Sequence, residues 1–202
     1  MTILAIDVAN FSFSVALARN GEIIAFRTLA QERGQDALLM PLVLETLEEA
    51  SITFKELDLI STTIGPGSFT GVRVGVAAAR GISLASGKPT MGINSLAWVA
   101  ESLPQDLVEN KNILVALESK RQELFCQLFS PDRRAINSVQ MMSREDITLV
   151  ENVLVVGNGM QGWMPDARDL ARCAEKRLRS AQSIEHCVPF YAREADAIKS
   201  CG

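Results

Sequence analysis

The side chains that most often carry proton transfer and metal binding are scarce in this chain. It contains one histidine, His186. An HExxH or HxxxH site needs two imidazoles one helical turn apart, and a conventional triad needs one beside a nucleophile. Imidazole chemistry therefore rests on His186 or is absent. The four cysteines, Cys126, Cys173, Cys187 and Cys201, include no CxxC pair, so their spacing writes neither a thioredoxin-like site nor a zinc ribbon. They are expected to be buried, reduced thiols acting as small hydrophobes. What remains is Asp7, which ends the apolar run TILAID. A carboxylate at a strand end can hold Mg²⁺ beside a nucleotide γ-phosphate. Here Val8, Ala9, Asn10 and Phe11 follow it, without the glycine and threonine that would let a phosphate approach the backbone. The alternative is a carboxylate that forms the turn.

The densest motif is Gly65-Pro66-Gly67-Ser68-Phe69-Thr70-Gly71-Val72-Arg73-Val74-Gly75. Pro66 and Gly67 predict a tight turn after a strand, and Ser68 predicts the N-cap of a helix over 68–86. The free N–H groups of such a start can receive a phosphate, yet the block is neither a Walker A loop nor GxGxxG in Rossmann spacing. Gly67, Gly71, Gly75 and Ala79 recur at intervals of four and share one helix face. Such a face admits either a second helix at unusually close range or close packing within the same subunit. Phe69, Val72, Arg73, Val76 and Arg80 are expected to form a mixed surface suited to an interface. The helix over 36–50 points the same way. Leu38, Leu39, Met40, Leu42, Val43 and Leu44 cover more of its circumference than one buried face requires, with Pro41 placed in its first turns. Burial on both sides in one large core is the alternative.

These motifs sit in a plain frame. Strands are expected over 2–8, 12–19 and 22–30, the last two joined by the hairpin signal Asn20-Gly21. A strand over 57–64 runs into the glycine turn, a short one covers 90–93, and a helix over 94–103 is capped by Asn94 or Ser95. After a polar break, strands over 112–119, 123–129 and 153–156 and a helix within 166–179 repeat the theme, with Gly157-Asn158-Gly159 as a second glycine turn. The expected fold is α/β with two lobes of mixed sheet flanked by helices, divided as 1–103 and a shorter 104–202.

Composition agrees with a globular chain: 48% apolar, 22% charged and a net charge of −4 over 202 residues. Such an acidic chain would touch nucleic acid locally or through a partner. The basic run Arg168, Arg172, Lys176, Arg177 and Arg179 is read as a solvated helix face or part of a nucleic-acid path. The N-terminus lacks a basic signal region and no apolar run reaches membrane-spanning length, so a cytoplasmic protein that does not enter membranes is expected.

The blocks TILAIDVANFSFSVAL, IGPGSFTGVRVGVAAARGISLA and VPFYARE resemble the TsaB family, also called YeaZ, of bacterial tRNA threonylcarbamoyladenosine synthesis. The resemblance runs from Ile3 to Arg193 and implies the actin-like ATPase fold (ASKHA, ribonuclease H-like). It implies a non-catalytic subunit that pairs with the catalytic relative TsaD through first-lobe helices. The pair recruits the ATPase TsaE and tRNA, and TsaD transfers threonylcarbamoyl to N6 of the adenosine beside the anticodon. The isolated subunit is expected to form a homodimer through the same helices. The expected interface residues are Leu38, Leu39, Leu42, Phe69, Gly71, Val72, Arg73, Gly75 and Val76. Asp7, Gly157 and Gly159 are the candidate remnant of a nucleotide site. No catalytic or metal-binding residue is expected and no cofactor is required, while ATP or ADP binding stays open. The rival readings are an actin-like phosphotransferase or ATPase, motivated by Asp7, and a metallopeptidase, opposed by the single histidine. The chain departs from the family at Gln35, where a histidine is common, and at Glu118-Ser119-Lys120, where Asp-Ala-Arg is usual.

Overall fold

The computed structural model describes residues 1–10, 13–29, 35–119, 122–160, 163–180 and 186–190, with backbone alone at Gln35 and Asp36. Phe11, the Gln35 side chain, Lys120, Cys201 and the segment 191–193 therefore lie outside the described residues.

Three strands open the chain: β1 (Thr2–Asp7), β2 (Phe13–Arg19) and β3 (Glu22–Leu29). Asn20 and Gly21 both take positive φ, 52° and 89°, as a two-residue hairpin between twisted strands requires. The strands β4 (Leu59–Gly65) and β5 (Thr90–Asn94) then add in parallel, giving the order β3-β2-β1-β4-β5. A second sheet comprises β6 (Asn112–Glu118), β7 (Leu124–Phe129), β8 (Gln140–Met142) and β9 (Val153–Val156), in the order β8-β7-β6-β9. Each sheet thus opens with an antiparallel pair or meander and adds its next strand in parallel beside the first. The expected two lobes of mixed sheet are present, and the second repeats the first in shortened form.

The helices are α1 (Gln35–Glu49), α2 (Phe69–Ser86), α3 (Ser95–Ser102), α4 (Gln105–Val108), α5 (Arg144–Thr148) and α6 (Ala167–Arg179). Helices α1 and α2 cover one face of the first sheet, joining Leu4, Ile6, Val15 and Leu17 in one core. The other face carries Ile3, Ala5, Ala16 and Ala18, and on it lies α6 through Ala167, Leu170, Ala171 and Ala174. Alanine facing alanine lets helix and sheet approach closely. Each fully buried Leu or Ile on these faces contributes about 1.5–3 kcal/mol.

The division at 103/104 needs correcting on this point. Helix α6 packs on the first sheet, as does Cys187 of the segment 186–190. Helix α3, by contrast, sends Leu96, Val99 and Ala100 into the second sheet's core while Trp98 joins α6 on the first. The chain crosses between lobes and returns because the apolar stripe of α6 matches the small-residue face of the first sheet. Short α5 supplies Ile147 to the outer face of the second sheet. Among the described residues, no helix is long and apolar enough to cross a membrane.

Candidate functional site

The glycine block folds as its spacing predicts at the N-terminus of α2. Ser68 is the N-cap, its Oγ accepting from Gly71 N at 3.3 Å. The glycines, however, face their own chain. A Cβ on Gly71 would lie 2.0 Å from the Val8 carbonyl oxygen. One on Gly75 would lie 2.9 Å from Thr62 Oγ1, and one on Gly67 2.5 Å from Asn10 Oδ1. The close approach is thus between α2 and the turn after β1, with β4 beneath. At 100° per residue Val72 and Val76 fall on the same arc as Gly71, Gly75 and Ala79, so both valines are buried in the first-lobe core. In α1 the series Leu39, Leu42, Val43, Thr46 and Leu47 has the i, i+3, i+4, i+7, i+8 period of a single buried face, and all five are buried.

Six of the nine expected interface residues are therefore core residues of their own chain: Leu39, Leu42, Gly71, Val72, Gly75 and Val76. Phe69 and Arg73 are exposed, and Leu38 is half-buried. The apolar surface lies one position round each helix. On α1 it is Met40 and Leu44, 39% and 52% exposed; on α2 it is Phe69 and Leu84, 49% and 89% exposed. Arg73 lies over the Phe69 ring, its guanidinium carbon 3.6 Å from the centroid, a cation–π contact. Ala77, Arg80 and Gly81 also lie on the exposed side of α2. Pro41 stands at the seventh residue of α1 rather than in its first turns. It faces solvent, where water can satisfy the carbonyl its ring leaves unbonded.

Asp7 is fully buried at the end of β1. Its Oδ1 accepts from Thr63 Oγ1 at 2.7 Å, Ala9 N at 3.3 Å and Asn10 Nδ2 at 3.4 Å. Asn10 also donates to Ser95 Oγ at 3.0 Å, which ties the turn to the start of α3. The Ser68 amide donates to the Ala9 carbonyl at 2.8 Å. A Mg²⁺–phosphate group does not fit this arrangement. The Ser68 amide at the helix start is bonded to the turn, and Gly71 abuts Val8, which leaves no room between the helix start and the turn. Asp7 organises the turn instead. Thr63, Asn10 and Ser95 complete this network; their only signal in the sequence is position beside Asp7 or at a helix start.

The second glycine turn is built alike. Gly159 N donates to the Ala116 carbonyl at 3.0 Å, and a Cβ on Gly157, at φ 110°, would lie 2.4 Å from that oxygen. Asn158 Oδ1 accepts from Glu118 N at 2.9 Å. Arg144 donates to the Gly159 carbonyl and, at 3.3 Å, to the exposed carboxylate of Glu118. Gly157 and Gly159 thus stand at the end of β9 as Gly65 and Gly67 stand at the end of β4, whereas Asp7 ends β1, whose counterpart β6 ends in Glu118. His186 is exposed, and its carbonyl rests against Gly92. No group of three His, Cys, Asp or Glu among the described residues is placed to hold a metal ion.

Two related sheets, joined by a helix that packs on both, define a two-lobed α/β protein. A crystal structure of a Pseudomonas aeruginosa protein with similarity to peptidase YEAZ superposes with TM-score 0.79 at 22% identity, over 95% of this chain and 99% of that one. YeaZ from P. aeruginosa gives 0.76 at 21% identity, over 94% and 99%. The chain also matches, over residues 30–199, the family described as TsaD, tRNA N6-adenosine threonylcarbamoyltransferase. It is 26% identical to the Escherichia coli tRNA threonylcarbamoyladenosine biosynthesis protein TsaB over 98% of this chain and 97% of that protein. Against Bacillus subtilis TsaB it is 34% identical over 50% of this chain and 44% of that one. The chain belongs to the TsaB/YeaZ family.

Proposed function

We propose that this chain is a non-catalytic docking subunit in the synthesis of threonylcarbamoyladenosine in tRNA. Its α1–α2 face binds the catalytic relative TsaD, and through that pair TsaE and tRNA are engaged. TsaD performs the transfer to N6 of adenosine. The isolated chain pairs with a second copy through the same face.

The observation that carries this reading is the outer surface of α1 and α2. Met40, Leu44, Phe69 and Leu84 are exposed although the inner sides of both helices already fill the core. Four large apolar side chains beyond the needs of folding, with Arg73 stacked on one of them, have the composition of an interface centre. The closed turn around Asp7 supports assigning the chemistry to the partner. Sedimentation of the chain with and without TsaD tests it. A Leu44→Glu/Phe69→Glu variant should abolish pairing while its unfolding midpoint stays near the parent's. Unchanged pairing overturns the proposal.

A further inference from the structure

The basic run of α6 is split by the fold into one buried member and four surface ones. Arg177 is buried and holds Glu101 in a two-pronged pair, Nη2 to Oε1 at 2.6 Å and Nε to Oε2 at 3.2 Å. Its role is to fasten α6 to α3. Arg168, Arg172, Lys176 and Arg179 are exposed. At 100° per residue they fall within an arc of about 80° and span about 16 Å of helix. They form a cationic ridge on an otherwise acidic chain of net charge −4.

A shallow, open groove of about 600 Å³ runs beside this ridge, lined by Arg172, Glu175, Lys176, Arg179, Ser180 and the hairpin turn Asn20-Gly21. Folding accounts for the ridge only in part. Its three arginines pair with acids that are half-buried or buried: Arg168 with Asp166, Arg172 with Asp169 at 3.1 Å, Arg179 with Glu175 at 2.6 Å. Pairs whose cation stays in solvent contribute little to stability. Lys176 has no ion pair among the described residues. The helix dipole favours cations near the C-terminal end and so explains Lys176 and Arg179. Arg168 in the first turn is held by Asp166 and by the Phe26 ring, whose centroid lies 4.3 Å from its guanidinium carbon. Arg172 is left without such a reason. The local acids also do work that leaves the cations pointing outward: Asp166 caps the helix, accepting from Arg168 N at 2.8 Å, and Glu175 is buried beneath Arg179. Guanidinium groups already held in fixed orientation are suited to two-pronged contacts with phosphate oxygens.

We infer that the α6 ridge and its groove bind the phosphate backbone of the RNA substrate. This rests on the reading of the chain as a tRNA-modification subunit and adds a surface to it. A ridge of about 16 Å spans about four phosphates along one strand. It lies on the face of the first sheet opposite α1 and α2, so an RNA strand and the docked partner occupy separate sides.

The test is an Arg172→Glu/Lys176→Glu variant, which leaves the Glu101–Arg177 and Glu175–Arg179 pairs in place. Fluorescence anisotropy with a labelled unmodified tRNA transcript is followed from 50 to 200 mM salt, on the chain alone and with TsaD. TsaD pairing is read separately by sedimentation. The expected result is affinity lower by about tenfold or more and a log K against log salt slope shallower by about 1.5–2. TsaD pairing and the unfolding midpoint should stay unchanged, and Arg172→Lys should retain RNA binding. Equal affinity and slope for parent and variant overturns the proposal, as does a parent that binds no tRNA in either setting. Loss of TsaD pairing with intact tRNA affinity would assign the ridge to a protein partner and also overturns it. If the parent fails to pair with TsaD but its RNA binding falls with the variant, the ridge stands and the docking role falls.

Discussion

The two faces of the first sheet bury their inner surfaces in the same way and differ in what they present outward. On one face, α1 and α2 seat aliphatic side chains on Leu4, Ile6, Val15 and Leu17 and leave Met40, Leu44, Phe69 and Leu84 in solvent. On the other, α6 seats alanines on Ile3, Ala5, Ala16 and Ala18 and leaves arginine and lysine outside. The means of attachment differ too. Helix α2 is held by backbone contact, with glycines against the turn after β1. Helix α6 is held by a buried ion pair to α3, to which Cys173 adds a thiol donor, 2.9 Å from Glu101 Oε2. One sheet thus carries an apolar outer surface and a cationic one, and inner packing constrains neither.

The largest effect is expected where α2 meets the β1 turn. Gly71→Ala puts a methyl 2.0 Å from the Val8 carbonyl oxygen, and backbone on both sides must move. A loss of about 3 kcal/mol or more in denaturant unfolding is expected. Gly81, on the exposed side of the same helix with nothing within 4 Å, is the control. Gly81→Ala should be neutral or stabilise by up to about 1 kcal/mol. Equal effects at the two glycines would remove the distinction between inner and outer sides of α2.

On the other face, Arg177→Met strands the half-buried Glu101 carboxylate and should cost about 3 kcal/mol. Adding Glu101→Gln should recover much of that loss, since the remaining cost is one of packing. A double variant no better than the single would show that the pair itself, rather than the stranded charge, fastens α6.

A smaller, pH-dependent effect comes from the buried thiols. Burial pushes Cys126 and Cys187 from about 9.0 up to about 11 and Cys173 well above the usual range. An unfolded thiol then releases its proton at lower pH than a folded one. Between about pH 9 and 11 the folded state binds more protons, so stability falls as pH rises through that window. Unfolding midpoints at pH 8, 9.5 and 10.5 check the sign. A Cys126→Ala variant should lose part of the slope.

Much of this fold is legible in the residues. Asn20-Gly21 fixes the first hairpin, Ser68 and Asn94 cap α2 and α3 as N-caps should, and the Gly65–Gly67 turn follows β4. Strand β8 and helix α5 carry too few residues for a periodicity to show. The return of α6 to the first sheet is hidden as well, because it depends on alanine matching alanine across more than 150 residues of sequence. The proposed docking surface is legible as a surplus of leucine in α1 but not as particular residues. The buried series beginning at Leu39 settles the phase, and Met40 and Leu44 are what it leaves over. In α2 the glycine spacing is a true signal of close approach whose object lies within the chain.

The central claim is that the apolar outer side of α1 and α2 serves a partner and the fold does not need it. Sedimentation velocity of the Leu44→Glu/Phe69→Glu variant mixed with TsaD, beside the parent, tests it most directly. The parent should co-sediment with TsaD and the variant should not, with unfolding free energies within about 0.5 kcal/mol of each other, as for surface substitutions generally. A variant that still co-sediments, or that unfolds as readily as a core mutant, would contradict it.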